Sequence, residues 1–230
     1  MKILEIGNYI APAYAGMILA EQGHTVEKWH INTDPILSLN HGDDLWNWIN
    51  HGKTLVIRHA SEIIHADLSE YGGVIDNFLP SFWEGQGVQI PDLANRYKLR
   101  WVSLRSEDGK RSFDLIAQCK SWMEYSGWVP FYIGDTTAGL WMAFKLLSGQ
   151  DFGHFVLGQA SCMQKLVEGE LCVTPERLHG SIVWDKDQYR FNSATNRAEI
   201  IFKGEILTET VKDTAWKINN LWHNQGRMTI

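Results

Sequence analysis

The stretch most able to carry chemistry is Phe131 to Gly139, "FYIGDTTAG", which runs at once into the apolar segment "LWMAFKLLSGQ". Asp135 stands directly after a glycine and in front of two threonines. An aspartate at this place is a good helix N-cap, because its carboxylate accepts the unpaired backbone N–H groups of the first turn. A carboxylate at a helix start can also act as a nucleophile. The residues alone leave both interpretations of Asp135 open, and caps are the commoner use of such a residue.

The segment after Asp135 predicts an amphipathic helix that Gly149 ends. The side chains expected to face the core of the domain are those of Leu140, Met142, Ala143, Leu146 and Leu147.

A second stretch with chemical potential is the basic window "RYKLRWVSLRSEDGKR". It sets six basic residues against Glu107 and Asp108, and the six are Arg96, Lys98, Arg100, Arg105, Lys110 and Arg111. A solvated strand and loop would explain this charge. A rim that binds phosphate groups would explain it equally well, because guanidinium and ammonium groups are the usual phosphate ligands.

Composition excludes several classes of protein. The chain has 230 residues and a formal net charge of −6, which argues against a general nucleic-acid binder. No apolar run approaches the roughly 18 residues of a membrane helix, and "MKILEIGNY" predicts a strand instead of a signal peptide. The nine histidines are dispersed, so no metal site is expected. The three cysteines lack the spacing of a disulfide framework, and we therefore expect a cytoplasmic protein.

The N-terminal pattern predicts a parallel α/β sheet flanked by helices, similar to a Rossmann fold. "KILEIGN" and "HTVEKWH" are typical of strands, and "APAYAGMILAEQG" between them is typical of a helix. Further strands are expected at "KTLVIRH", "YGGVIDNF" and "LRWVSLR", which gives five strands by residue 150. "HFVLGQASCMQKLVEG" could add a strand and a helix. The first turn, "GNYIAP", lacks the G-x-G-x-x-G fingerprint, so a nicotinamide or flavin enzyme is disfavoured.

The last 65 residues have a different pattern. "SIVWDKDQYRFN" and "AEIIFKGEILT" alternate apolar and polar residues around turn signals, which predicts antiparallel hairpins. "VKDTAWKINNLWHNQG" predicts a terminal helix. We therefore expect one domain over residues 1–165 and a C-terminal region of hairpins and a helix over 166–230.

Six segments, in order, carry a resemblance to a known family. They are "APAYAGMILAEQGHTVEKW", "NHGKTLVI", "VIDNFLPSFWEGQGV", "YKLRWVSLRSEDG", "FDLIAQCKS" and "IGDTTAGLWMAFKLL". Together they resemble the class III CoA-transferase family, which includes formyl-CoA transferase, carnitine CoA-transferase and α-methylacyl-CoA racemase. The resemblance covers about two thirds of the chain.

This resemblance implies a role for several side chains. Asp135 matches the family's covalent nucleophile, which attacks the thioester carbonyl of an acyl-CoA. The other matches imply CoA contacts: Asn77 and Phe78 at the nucleotide, Arg105 and Arg111 at the phosphates, and Gly134 beside the nucleophile. Asp114 matches an acidic residue that helps to order the site. The implied ligands are an acyl-CoA and a carboxylic acid, and no permanently bound cofactor is implied.

The sequence departs from the family pattern in four respects. Too few residues follow residue 165 for the family's smaller second domain, so a shortened member is expected. Tyr9 stands where transferases carry glutamine, and Gly85 replaces a basic residue. Phe113 stands where racemases place a histidine, which disfavours a racemase because the second acid/base group is missing.

Three functions remain open from the sequence. The chain could be an acyl-CoA:carboxylate CoA-transferase that uses Asp135. It could be a degenerate homologue that binds CoA or an acyl-CoA without turnover, or a subunit of a larger assembly. It could also use the same scaffold for a different chemistry, because fold does not fix function. A homodimer or hetero-oligomer is expected, because eleven tryptophans must be covered.

Overall fold

The computed structural model describes residues 1–31, 34–39, 41–106, 113–121, 132–149, 151–164, 189–192, 197–202 and 205–207. The chain divides into two compact units. Unit 1 comprises Met1–Arg111 and Asp135–Gln159, and unit 2 comprises Ser112–Gly134 and Ala160–Ile230. The domain boundary predicted after residue 165 lies outside the described residues.

Unit 1 is built on a six-stranded sheet in which every neighbouring pair of strands is parallel. The strands are β1 (Lys2–Ile6), β2 (Thr25–His30), β3 (Thr54–Ile57), β4 (Gly73–Asp76), β5 (Arg100–Arg105) and β6 (Gly153–Gly158). Their order in the sheet is β3-β2-β1-β4-β5-β6. The α/β fold predicted from the sequence is therefore confirmed, and the segment that could add a strand supplies β6.

The described residues also form seven α-helices. They are α1 (Ile10–Glu21), α2 (Gly42–Ile49), α3 (Pro80–Gly85), α4 (Ile90–Tyr97), α5 (Asp114–Ser121), α6 (Ile133–Ser148) and α7 (Gln159–Gln164), with 3-10 turns at Pro35–Ser38 and Ala60–His65. Proline occupies the first helical position of α3, where its missing N–H costs no hydrogen bond. The sequence analysis predicted α1 and α6 and allowed for a helix at α7, but it gave no helix at α2 or α3.

Each face of the sheet in unit 1 has its own packing. Ile6 pairs with Asp76, and Glu5 pairs with Ile75, so Asp76 and Glu5 point to opposite faces. The Asp76 face carries an apolar cluster that includes Leu4, Trp83 and Trp101. Because both faces are covered, the strands are apolar over most of their length, as is typical of parallel sheets.

On the other face, three charged side chains meet at the centre of the sheet. Glu5, Lys28 and Lys53 have fully buried side chains, and Glu5 forms an ion pair with each lysine. Lys53 Nζ lies 2.7 Å from Glu5 Oε2 and 2.7 Å from the carbonyl oxygen of Ala13, and it also donates to Asn50. The cluster therefore ties β1, β2 and the turn before β3 to helix α1.

The backbone of α1 passes directly over this charge cluster. A Cβ atom at Gly16 would clash with Glu5 Oε2 and would lie 3.1 Å from Lys53 Nζ. Only glycine at position 16 leaves room for the Glu5 carboxylate at this crossing. A larger residue there would displace the buried carboxylate or the helix.

Burial changes the protonation of the cluster. Burial lowers the pKa of Lys53 from 10.5 to about 8, although Glu5 acts in the opposite direction. Burial alone would raise the pKa of Glu5, but Lys28 and Lys53 together outweigh it and hold that pKa below its usual range. The carboxylate therefore stays ionised while Lys53 gives up its proton more easily than a free lysine does.

In unit 2, the described residues include three short antiparallel strands in the order β7-β8-β9. These are β7 (Tyr189–Asn192), β8 (Arg197–Phe202) and β9 (Glu205–Leu207), and helix α5 lies against β7 and β8. The predicted terminal helix, "VKDTAWKINNLWHNQG", lies outside the described residues.

Two of the core assignments for α6 are wrong. Met142, Ala143 and Leu146 are buried as predicted, but Leu140 is 51% exposed and Leu147 is 41% exposed. The buried stripe of α6 is narrower than the apolar pattern of the sequence. Within the described residues, no helix has both the length and the apolar character that crossing a bilayer requires.

Replacing Lys53 by methionine tests the buried cluster. The folded protein releases the Lys53 proton near pH 8 and the unfolded chain near pH 10.5, so the unfolded state binds more protons in this window. We expect the free energy of unfolding of the wild type to rise relative to Lys53→Met by about 1–2 kcal/mol between pH 8 and pH 9.5. Urea unfolding at several pH values measures this difference. The same substitution at exposed Lys98 should show no such rise, and parallel pH profiles for the wild type and Lys53→Met would contradict the prediction.

Candidate functional site

From β1 the chain adds β2 and β3 on one side of the sheet and then returns to add β4 on the other side of β1. The direction in which strands are added therefore reverses between β1 and β4. In open parallel sheets, ligands bind outside the carboxyl ends of the strands at such a switch point. Asn77 follows β4 directly, and its side chain forms two hydrogen bonds with Asn8 after β1. Asn77 Oδ1 accepts from the Asn8 N–H at 3.1 Å, and Asn77 Nδ2 donates to the Asn8 carbonyl at 2.8 Å. These bonds fix the two strand ends to each other.

The last residue of β4, Asp76, is fully buried and organises this edge of the sheet. Its Oδ1 accepts from the Phe78 backbone N–H at 2.9 Å, from Arg105 Nη2 at 2.9 Å and from Trp83 Nε1 at 3.2 Å. A buried carboxylate without such donors would cost several kcal/mol, roughly as much as the protein's whole margin of stability. The donors therefore determine where the chain turns after β4.

The second oxygen of Asp76 connects β4 to the strands beyond it. Oδ2 accepts from Trp101 Nε1 at 2.7 Å and from the hydroxyl of Ser103. The Nε2 atom of His154, on β6, lies 2.9 Å from the Oγ atom of Ser103. Burial lowers the pKa of His154. A continuous polar network thus runs through β4, β5 and β6.

Phe78 belongs to an aromatic group at the start of α3. Its ring stacks on Phe82 with centroids 4.4 Å apart and meets Trp83 edge-on at 5.6 Å. The ring is partly buried, so one side packs on the apolar cluster. A partly exposed aromatic ring beside a switch point is a surface on which a flat heterocycle could stack.

Arg105 ends β5, and its side chain is engaged inside the protein. Nη2 donates to Asp76, and Nη1 donates to the carbonyl of Leu104 at 2.8 Å. Arg100 of the same basic window donates to the carbonyl of Leu146 at 3.0 Å. The phosphate contact predicted for Arg105 stays a prediction, and Arg111 lies outside the described residues.

Tyr9, at the position where the resemblance expects glutamine, adopts a strained backbone. Its φ of 64° and ψ of −159° lie in a region that is almost restricted to glycine. The Tyr9 N–H donates to Asp34 Oδ1 at 3.2 Å, and burial raises the pKa of Asp34. Among the described residues, neither Asp34 Oδ2 nor His30 Nδ1 has a hydrogen-bond partner, although both atoms are buried.

Asp135 lies in the first turn of α6 and is partly exposed. The helix begins at Ile133, so Asp135 is inside the helix, and the interpretation of Asp135 as the cap residue in front of it is wrong. Its Oδ1 accepts a hydrogen bond from Gln159 Nε2 at 2.6 Å. Gln159 directly follows β6 and is 2% exposed. The carboxylate is therefore held at the carboxyl edge of the sheet by a buried, neutral amide.

Helix α6 reaches this edge because it crosses α1 closely. A Cβ atom at Gly139 would lie 2.7 Å from the carbonyl oxygen of Ala11 and 3.1 Å from the ring of Tyr14. Gly139 stands one helical turn after Asp135, and α1 begins at the end of β1. The close crossing therefore brings the start of α6 toward the same edge as the switch point.

Gly134 and Asp114 form a contact within unit 2. The Gly134 N–H donates to Asp114 Oδ1 at 2.6 Å, and Gln118 Nε2 donates to Asp114 Oδ2 at 2.6 Å. Asp114 thus ties the start of α6 to α5 within this unit. The predicted CoA contact of Gly134 stays a prediction.

The structure places four of the predicted site residues at the carboxyl edge of the sheet in unit 1: Asn77, Phe78 and Arg105 at strand ends, and Asp135 in the first turn of α6. Sequence reasoning missed Gln159 and Asp76, which position them. A signal for Gln159 was present, because a polar residue directly after an apolar strand falls at the edge where ligands bind. Among the described residues, no group of three or more histidine, cysteine, aspartate or glutamate side chains could hold a metal ion.

Comparisons with solved structures identify similar folds. A CAIB/BAIF family protein from Brucella suis superposes with a TM-score of 0.64 at 17% sequence identity, covering 73% of this chain and 54% of that one. A hypothetical protein from Mycobacterium tuberculosis superposes with a TM-score of 0.59 at 19% identity, covering 72% of this chain and 56% of that one. The chain thus spans a little over half the length of these structures, and the likeness shows a shared fold.

No protein-family model matches the chain, and no curated protein sequence matches it.

Replacing Asp76 by asparagine tests the network at the strand ends. The amide would leave the Arg105 guanidinium buried without its counter-ion, and we expect the free energy of unfolding to fall by about 3–5 kcal/mol. Adding Arg105→Met to this variant should cost less than the sum of the two single substitutions, because the pair acts as a unit. Urea unfolding measures these values, with exposed Asp151→Asn as the control. A loss below about 1 kcal/mol for Asp76→Asn would show that the network is not essential to the fold.

Proposed function

We propose that this protein is an acyl-CoA:carboxylate CoA-transferase in which Asp135 is the nucleophile. The observation that carries this function is the Asp135 carboxylate itself, partly exposed at a helix start and held through Oδ1 by the buried amide of Gln159. Two findings support it. The motifs around Asp135 resemble those of the class III CoA-transferases, and the fold is similar to that of a CAIB/BAIF protein, a member of that family.

The reaction begins with attack by an Asp135 oxygen on the thioester carbonyl of an acyl-CoA. The carbon–sulfur bond breaks, CoA leaves as the thiolate, and a mixed anhydride joins the acyl group to Asp135. The thiolate then attacks Asp135 Cγ and the anhydride bond breaks. This step releases the first carboxylic acid and leaves an aspartyl-CoA thioester.

The second half of the reaction reverses these steps with a different acid. The acceptor carboxylate attacks Asp135 Cγ and expels the CoA thiolate, which gives a new anhydride. The thiolate then attacks the acceptor's carbonyl carbon. A new acyl-CoA forms and Asp135 is released as a carboxylate, so no oxidant, reductant or metal ion is consumed.

The nucleotide end of CoA is assigned to the switch point of the sheet. Phe78 offers a partly exposed ring for the adenine, and Asn77 holds the strand ends on which the nucleotide would lie. Phosphate binding is assigned to Arg105 and Arg111, and Gly134 is a further predicted CoA contact. Arg105 already donates to Asp76, so its main effect would be to keep this edge in place.

Trapping the activated carboxylate tests the nucleophile. Incubation with acetyl-, propionyl- or succinyl-CoA and hydroxylamine should convert Asp135 to its hydroxamate, which peptide mass spectrometry locates. We expect Asp135→Asn to lower CoA transfer at least about 1,000-fold, because the covalent route is lost. Asp92→Asn removes a carboxylate from the first turn of α4 and should leave the transfer rate unchanged.

The result also separates the alternatives. Stabilisation of the fold by CoA without any Asp135 hydroxamate would contradict the transferase and favour a CoA-binding homologue. Absence of both effects would favour a different chemistry on the same scaffold.

The phosphate contact of Arg111 can be tested apart from turnover. We expect Arg111→Gln to weaken CoA binding about tenfold, because a charge-assisted hydrogen bond to a phosphate is lost. Binding of pantetheine, which has no phosphate, should not change. Titration calorimetry measures both affinities, and Arg58→Gln, directly after the edge strand β3, is the charge-matched control. Equal losses for CoA and pantetheine would contradict a phosphate contact.

A further inference from the structure

Gln159 contacts the proposed nucleophile from an unexpected element. It is the first residue after β6, it is 2% exposed, and its Nε2 donates to Asp135 Oδ1 at 2.6 Å. The two residues are 24 positions apart in the chain. Burial limits the rotamers of the glutamine, so the amide is a fixed donor aimed at one oxygen of the carboxylate.

This contact gives Oδ1 a fixed, buried donor. In the reaction proposed here, Oδ2 is the oxygen that forms the new bond to the acyl group, and Oδ1 keeps its hydrogen bond to Gln159. In the resulting anhydride, Oδ1 becomes the carbonyl oxygen of Asp135.

We propose that Gln159 is the residue that stabilises the oxyanion on Asp135 when CoA is transferred to it. This role rests on the proposed function. When the thiolate attacks Cγ, the electron pair of the carbon–oxygen double bond moves onto Oδ1, beside the Gln159 N–H. The oxyanion then collapses, the bond from Cγ to Oδ2 breaks, and the carboxylic acid leaves with Oδ2 as its carboxylate oxygen.

The role of Gln159 differs between the two steps of the half-reaction. In the first step, negative charge leaves the Asp135 carboxylate, so the Gln159 donor contributes little to the rate. In the second step, negative charge returns to Oδ1 in the transition state, where a fixed donor in a buried site is most effective. Loss of the amide should therefore slow thioester formation far more than anhydride formation.

The test compares two adducts on the intact protein. Acid quenching of a single turnover with the most reactive of acetyl-, propionyl- and succinyl-CoA, followed by mass spectrometry, separates the acyl anhydride from the aspartyl-CoA thioester. In Gln159→Met, which keeps the length of the side chain and removes the donor, we expect thioester formation to slow by about 100-fold. The ratio of anhydride to thioester at early times should rise by a similar factor.

A change in folding alone would not move this ratio, because it would reduce both adducts together. Gln86→Met, at an exposed position, is the control and should give the wild-type ratio. If Gln159→Met does not fold, Gln159→Asn replaces it, since the shorter side chain withdraws the amide from Oδ1 while remaining polar. The same rise in the ratio is expected in that variant.

The outcomes distinguish the two inferences. A wild-type ratio in the folded Gln159 variant, with adducts present, would overturn the role of Gln159 and leave the transferase standing. Absence of both adducts in the wild-type protein would overturn the transferase, and the role of Gln159 with it.

Discussion

The structure depends on a carboxylate buried at the end of a central strand. Burial removes the water that would solvate the Asp76 carboxylate, and donors from a serine, an arginine, two tryptophans and a backbone N–H take its place. Each of these groups belongs to β5 or to the segment between β4 and the end of α3. The hydrogen bonds to the Asp76 carboxylate therefore fix the relative positions of β4, β5 and α3. They also fix the edge of the sheet where Asn77 and Phe78 lie.

A second buried charge system stabilises the opposite face of the same sheet. Glu5 forms ion pairs with Lys28 and Lys53, and the backbone of α1 crosses above it at Gly16. Each system surrounds one acidic side chain: Glu5 on β1 and Asp76 on β4. These two strands are neighbours and flank the switch point. Breaking either one leaves an uncompensated charge, so both favour a single arrangement of these strands even where a purely apolar core would tolerate repacking.

Periodicity in the sequence was enough to predict the class of fold, because it reports which residues are buried. It predicted the strands and most of the longer helices, and it placed Asp135 near the start of a helix. It failed for α2 and α3, which are short, and for Leu140 and Leu147, which are apolar but exposed. It also could not pair Gln159 with Asp135 or Arg105 with Asp76, because such contacts depend on the order of strands in the sheet and not on local spacing.

A hydrogen bond from a neutral amide is consistent with the nucleophilic role proposed for Asp135. A lysine or arginine at the place of Gln159 would bind the ionised carboxylate strongly and hold its lone pairs, as Arg105 does for Asp76. An apolar residue at this position would remove the hydrogen bond to Oδ1. An amide lies between these extremes, since it orients one oxygen through a single N–H and adds no charge. The same sheet edge thus holds two aspartates with different surroundings. Asp76 is buried among donors, whereas Asp135 is partly exposed and accepts a hydrogen bond from an amide, which is the difference that the proposed role of Asp135 requires.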